Sequence, residues 1–91
     1  MYLRFEWDLQ KSRSNQIKHG VPFEEAQSVF YDEQAFEFYD PDHSDEEDRF
    51  LLLGLSERLR VLVVSYCLIE NGIRIISARK ATKREMEHYE T

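Results

Sequence analysis

The sequence predicts a mixed α+β fold, with an antiparallel sheet from the second half of the chain, two helices near the start and one at the end. Three observations predict it. Apolar runs at residues 50–55, 61–69 and 73–78 follow one another with short polar breaks, the pattern of an antiparallel meander. Asn71-Gly72, between the last two runs, is the strongest hairpin signal, because both residues tolerate the positive φ of a type I′ turn. Polar segments at both ends of the chain carry helix-cap chemistry.

Each element follows from its residues. Residues 2–6 alternate, with Leu3 and Phe5 on one side and Arg4 and Glu6 on the other, as in a short strand. Asp8 is an N-cap for a helix over residues 9–19, and Gly20 stands at its C′ position. Only Leu9 and Ile17 give that helix an apolar face, so Trp7 and neighbouring elements are expected to anchor it. Pro22 suits the first turn of a second helix, with Glu24 and Glu25 near its positive end and Phe23, Ala26, Val29 and Phe30 as its buried stripe. Residues 34–39 read as a strand with Phe36 and Phe38 on one face, followed by turn chemistry at residues 40–45. Thr82-Lys83-Arg84-Glu85 is a capping box that opens a C-terminal helix, with Met86 and Tyr89 on one face. Cys67 and the Tyr and Phe residues are assigned to the core.

Composition narrows the function. The 91 residues fit a single domain spanning residues 1–91, and 42% hydrophobic with 13% aromatic residues is ample for a folded one. One cysteine excludes a disulfide framework and argues against a metal cluster; no cofactor and no metal are expected. An apolar span long enough for a membrane is missing, the first residues lack a signal-peptide layout, and the cytoplasm is the expected address. The net charge of −6 is unevenly spread: residues 32–48 hold nine acids and no Lys or Arg, leaving 9 acids against 12 bases elsewhere. Screening over roughly 10 Å makes that local balance the relevant one for a phosphate ligand, although it is a weak footprint for a nucleic-acid binder.

Three groups of residues carry candidate chemistry. Lys18-His19-Gly20 reads equally as a helix C-terminus, with two bases against the dipole and a glycine cap, or as a phosphate-binding and proton-moving pair. Arg74 interrupts the last apolar run, and Arg79 sits where that strand gives way to the C-terminal helix. On a strict two-residue period they face opposite sides and share a pocket only if the strand is bulged; otherwise each reads as an edge or ion-paired residue, with partners expected in the acidic stretch. Arg49, after four consecutive acids, reads as a surface charge at a strand start.

The order of these motifs is that of a known family. Phe5-Glu6-Trp7-Asp8, Lys11, Asn15, Lys18-His19-Gly20-Val21 and Phe23-Glu24-Glu25-Ala26 resemble the N-terminal half of the BrnT toxins. Arg49-Phe50 through Gly54, then Arg74-Ile75-Ile76-Ser77-Ala78-Arg79-Lys80-Ala81-Thr82 and Arg84-Glu85 through Tyr89, resemble the second half; residues 31–48 are unmatched. The resemblance implies a RelE-like α+β fold, with a curved, mainly antiparallel sheet, two N-terminal helices and a C-terminal helix. It implies a type II toxin that cleaves RNA without metal and is neutralised by a cognate BrnA-type antitoxin, with operator DNA reached only through that antitoxin. On this resemblance Lys18 and Arg79 are assigned to phosphate charge stabilisation and His19 to proton transfer. Arg49 is assigned to gripping the RNA, with Arg74 and Arg84 as secondary substrate contacts. Two other readings stay open: a RelE-fold binding module without catalysis, and a nucleic-acid-binding or structural protein outside any toxin system.

Overall fold

The computed structural model describes residues 4–90, so the Tyr2 and Leu3 end of the expected first strand lies outside the described residues. The elements are β1 (Arg4–Glu6), α1 (Leu9–His19), α2 (Phe23–Ser28), β2 (Phe36–Tyr39), β3 (Arg49–Leu55), β4 (Val61–Ile69), β5 (Gly72–Lys80) and α3 (Lys83–Glu90). The five strands form one sheet in the order β1-β5-β4-β3-β2. The meander β3-β4-β5 is antiparallel, β2 extends it antiparallel at one edge, and β1 adds a parallel strand at the other.

Both faces of this sheet follow from its register, because residues directly opposite one another point the same way. One face carries Leu52, Val64 and Ala78 in a row, with Leu62, Tyr66 and Ile75 beside it; Val21, Phe23, Ala26 and Val29 from the α2 region close over them as the core. The other face carries Phe36, Phe38, Leu51, Leu53 and Val63, and α3 lies against its β3 side. The aromatic residues are thus not all core: Tyr31, Phe36, Phe38 and Tyr39 are exposed, whereas Cys67 is buried. Those four belong to the approach to β2 and to β2 itself, the last strand of the sheet, over which α3 lays the ring of His88 against Phe36 and Phe38, at centroid distances of 5.4 and 5.6 Å.

Helix α1 begins and ends as its caps dictate. Asp8 Oδ1 accepts from the N–H groups of Gln10 (2.8 Å) and Lys11 (3.2 Å). Gly20 takes φ +71° and donates its N–H to the Gln16 carbonyl. Its inward face corrects the expectation. Leu9 and Ile17 are 69% and 88% exposed, and the buried residues are the polar Ser12 and Asn15. Strand β1 pairs with Gly72, Ile73 and Arg74, and among the described residues no strand lies beside β5 beyond Arg74. Asn15 takes that place: its Nδ2 donates to the Ala78 carbonyl (2.7 Å) and its Oδ1 accepts the Ala78 N–H (3.1 Å). The same Nδ2 donates to the Val21 carbonyl at 2.8 Å. The helix docks by imitating a strand, not by burying an apolar stripe.

Two turns differ from their sequence reading. Ile69 pairs with Gly72, so Glu70 and Asn71 are the central residues of the β4–β5 hairpin, and of these only Asn71 has positive φ (+60°). This is not the type I′ turn, which needs positive φ at both positions. Gly72 is already in β5, where a Cβ would sit 2.2 Å from the Arg4 carbonyl oxygen of β1; the glycine answers to strand packing, not to the turn. In the β3–β4 turn Leu59 adopts φ +62° while 79% exposed, a conformation that crowds its Cβ. Pro22, for its part, stands at the N-cap of α2, just ahead of the first turn.

A bulge completes the geometry. Tyr66 opposes Ile75 and Ser65 opposes Ser77, which leaves Ile76 as an extra residue in β5. Alternation therefore slips by one, and Arg74, Ser77 and Arg79 all point to the α3 side of the sheet.

Asn15→Ala leaves the Ala78 N–H and two buried carbonyls without their partner, so it is expected to cost about 2–5 kcal/mol in chemical denaturation. Leu59→Gly relieves the left-handed strain and should raise stability by about 1 kcal/mol, measured the same way; a neutral or destabilising result would show that Leu59 rests there without cost.

Candidate functional site

The cleft between α1 and the bare edge of β5 gathers most of the chemistry. It encloses about 470 Å³ and is lined by Lys11, Lys18, His19, Ser14, Ser77 and Ile76, with Asp8, Gln10 and Asn15 at its rim and floor. Lys11, Lys18 and His19 share this lining with Asp8, whose carboxylate caps the N-terminus of α1. Lys18 and His19 sit in the last turn of α1. The dipole there favours cations, so their placement is stable without a ligand; Lys18 is exposed and His19 half-buried. Helix placement rests on the Asn15–Ala78 pair, which ties these residues to the strand carrying Ser77 and Arg79.

A second set of polar ties holds the far end of α1. Glu25, 1% exposed, accepts from Ser56 Oγ (2.7 Å) and Arg60 Nε (2.9 Å), and a second bond from Arg60 completes a bidentate pair. Arg60 also donates to the Gly20 carbonyl at 3.0 Å. The Arg60 guanidinium holds the Glu25 carboxyl below its ordinary range against the opposing effect of burial. Glu25 is therefore a buried structural acid, not only a charge near a helix end.

The arginines divide. The bulge puts Arg74 and Arg79 on one face, yet they oppose Cys67 and Val63, four residues and roughly 13 Å apart along β4. Arg74 is ion-paired with Glu6 at 3.1 Å, not with the acidic stretch. Arg79 grips Glu85 of α3 with both nitrogens, at 2.7 and 2.9 Å. Arg49 alone pairs within the acidic stretch, 3.9 Å from Glu47, and its Nε is buried without a hydrogen-bond partner. Arg84 lines an apolar channel with Phe38, Leu51, Leu53, Val63, Glu85 and His88, of about 460 Å³. Of the sequence candidates, then, Lys18 and His19 share a cleft and Arg79 lies two residues beyond Ser77 on the adjoining surface. Arg49, Arg74 and Arg84 stand at separate places. Lys11 and Ser77 join the cleft, and Asn15 positions it. A helix lacking an apolar stripe, with Ser12 and Asn15 three residues apart, is the signal that points to a polar buried face.

Helix α3 is held by side-chain hydrogen bonds and by the His88 ring packed on Phe36 and Phe38. Thr82 and Glu85 form the reciprocal capping box, at 2.8 and 3.2 Å. Glu85 holds Arg79, and Tyr89 donates to Asp32 Oδ2 at 2.6 Å. That same Asp32 oxygen accepts the Leu55 N–H at 2.8 Å, so the first acid of the acidic stretch is structural. The Arg79 guanidinium, helped by Thr82, pulls the Glu85 carboxyl down to about 2. The bond to Asp32, with burial, pushes Tyr89 up to about 12. Burial pushes Asp32 up, but the hydrogen bonds from Leu55, Tyr89 and Gln34 outweigh it and hold it low.

A family model described as "Ribonuclease toxin, BrnT, of type II toxin-antitoxin system" matches residues 7–85, a span that includes every candidate named above. Among solved structures the chain is similar to the Brucella abortus ribonuclease toxin BrnT, with a TM-score of 0.68 and 22% identity, covering 90% of this chain and 100% of that one. At that identity the likeness speaks for the fold. No curated protein matches the chain.

The α3 contacts are expected to fail at both ends of the pH scale. Glu85 is depressed from 4.5 to about 2, so its contribution is complete above 4.5 and lost as pH falls toward 2. Tyr89 is raised from 10.0 to about 12, so its contribution is complete below 10 and lost as pH rises toward 12. The Met86 methyl resonance should report both limbs, and Glu85→Gln should remove most of the acid one. A resonance indifferent to pH would show that these bonds do not hold the helix.

Proposed function

The chain belongs to the BrnT family of ribonuclease toxins from type II toxin–antitoxin systems, and on that premise we propose that it is a single-domain, cytoplasmic, metal-independent endoribonuclease of RelE-like fold, neutralised by a BrnA-type antitoxin. One observation carries the reading: Lys11, Lys18, His19 and Ser77 line one cleft, with β4 and β3 between it and the acidic edge strand. An RNA phosphate entering there meets cations and hydroxyls instead of the nine carboxylates of residues 32–48.

Cleavage needs a 2′ oxygen freed of its proton, a phosphate whose added charge is stabilised, and a 5′ oxygen that gains a proton as it leaves. His19 takes the 2′ proton. The 2′ oxygen attacks phosphorus, the P–O5′ bond breaks, and water in the open cleft protonates the departing oxygen, leaving a 2′,3′-cyclic phosphate and a 5′ hydroxyl. Lys18 stabilises the phosphate charge that a divalent ion would otherwise meet. Arg79 joins it after exchanging Glu85 for phosphate, an exchange between two anions that its planar fork suits equally. Arg49, Arg74 and Arg84 bind more distant parts of the RNA, and operator DNA is reached only through the antitoxin.

A second reading, a binding module that partners an antitoxin without cleaving, is favoured by the bidentate Arg79–Glu85 pair, which occupies that arginine.

Expression of the chain should arrest growth, and the purified protein should cleave single-stranded RNA in the presence of a chelator. Lys18→Ala, His19→Ala and Arg79→Ala should each slow cleavage on the order of a hundredfold. Melting should stay as in the wild type for the first two. A wild type that neither arrests growth nor cleaves would favour the binding module; cleavage untouched by all three substitutions would remove this cleft from the chemistry.

A further inference from the structure

The chain has a second distinctive surface, on the sheet edge opposite the cleft. Strand β2 is paired with β3 on one side only, and all four of its residues are exposed. The Asp40 N–H bonds inward to the Arg49 carbonyl at 2.9 Å. By alternation the N–H groups of Glu37 and Tyr39 point outward, away from β3. Phe36 and Phe38 lie on the same side of the strand as the apolar channel of about 460 Å³, with Leu51, Leu53 and Val63 along its floor. An aromatic edge strand of this kind is a template for another strand, and natural sheets cover or blunt such edges. Here no Lys or Pro interrupts residues 36–39.

Charge selects the occupant. β2 lies within residues 32–48, a stretch that holds nine carboxylates and no Lys or Arg. A second copy docking edge to edge would bring two such segments together, and an RNA would meet the same repulsion. Membership of a type II toxin–antitoxin family supplies a protein partner. We propose that the outer edge of β2 and the channel beside it form the docking surface for an extended segment of the antitoxin. That segment places apolar side chains in the channel and Lys or Arg against the acidic stretch. It gains main-chain hydrogen bonds from the Glu37 and Tyr39 positions, affinity from the channel and selectivity from charge. The inference rests on the antitoxin partnership and not on the site of cleavage.

The test measures affinity of the chain for the antitoxin co-expressed and purified with it. Tyr39→Pro removes one outward N–H while leaving the inward bonds to β3 in place. Phe38→Ser empties one side of the channel. Each should weaken binding tenfold or more, whereas Lys18→Ala should bind as the wild type does. Affinity should also fall about tenfold or more as salt rises from about 0.1 to 0.5 M. Should Tyr39→Pro melt early, Phe38→Ser decides alone. Wild-type affinity in the correctly folded variants, indifference to salt, dimerisation through β2, or displacement of the antitoxin by RNA would each overturn the proposal. RNA cleavage, assayed separately on the isolated chain, reports on the catalytic cleft whatever the binding result.

Discussion

The contact on which the rest of the architecture turns is the paired hydrogen bond between the Asn15 side chain and the Ala78 backbone. Strand β1 supports β5 only as far as Arg74, and beyond that the sheet would end in bare peptide groups. An amide side chain is the smallest group that can both donate and accept in the spacing of a strand. By meeting that need, Asn15 fixes the distance from α1 to β5 and makes the cleft between them. An apolar residue at the same point would bury more surface but leave the strand edge unsatisfied.

The same device recurs where helices meet the sheet. Glu25 joins α2 to the β3–β4 turn through Ser56 and Arg60, and Arg60 reaches on to the carbonyl that closes α1. Asp32 joins the end of β3 to the last turn of α3. Buried polar ties of this sort contribute modest net stability, because desolvation offsets most of their attraction, but a misplaced helix would leave them unpaired. They specify arrangement more than they strengthen it. The core supplies the cohesion, with Val21, Phe23, Ala26 and Val29 packed on the inner face of the sheet.

Much of this was legible in residues that act locally. Asp8, Gly20 and the Thr82–Glu85 box mark helix ends by chemistry confined to one turn, and the structure uses each in that way. The three apolar runs gave the meander for the same reason. What escaped depends on partners distant in the chain. Leu9 and Ile17 looked like the inner face of α1 because apolar residues usually are, and only the missing β1 partner explains why Asn15 replaced them. The reading of Arg74 and Arg79 hinged on one bulged residue, Ile76, which no periodicity announces. Their partners, Glu6 and Glu85, come from β1 and α3 and not from the acidic stretch. Lys18 and His19 were visible as a pair; that Ser77 completes their cleft required the fold.

The parallel pairing of β1 with β5 has a consequence for when the protein becomes what it is. Local hairpins close early and cheaply, whereas contacts between distant parts of a chain form late. The meander is made of neighbours, but β1 and α1 must wait for a strand that begins at Gly72, and Asn15 finds its partner 63 residues downstream. During synthesis, Lys18 and His19 therefore leave the ribosome long before the surface that completes their cleft. A half-made chain has the residues and lacks the site. The cleft closes only once Ser77 and Ala78, near the end of β5, have been made.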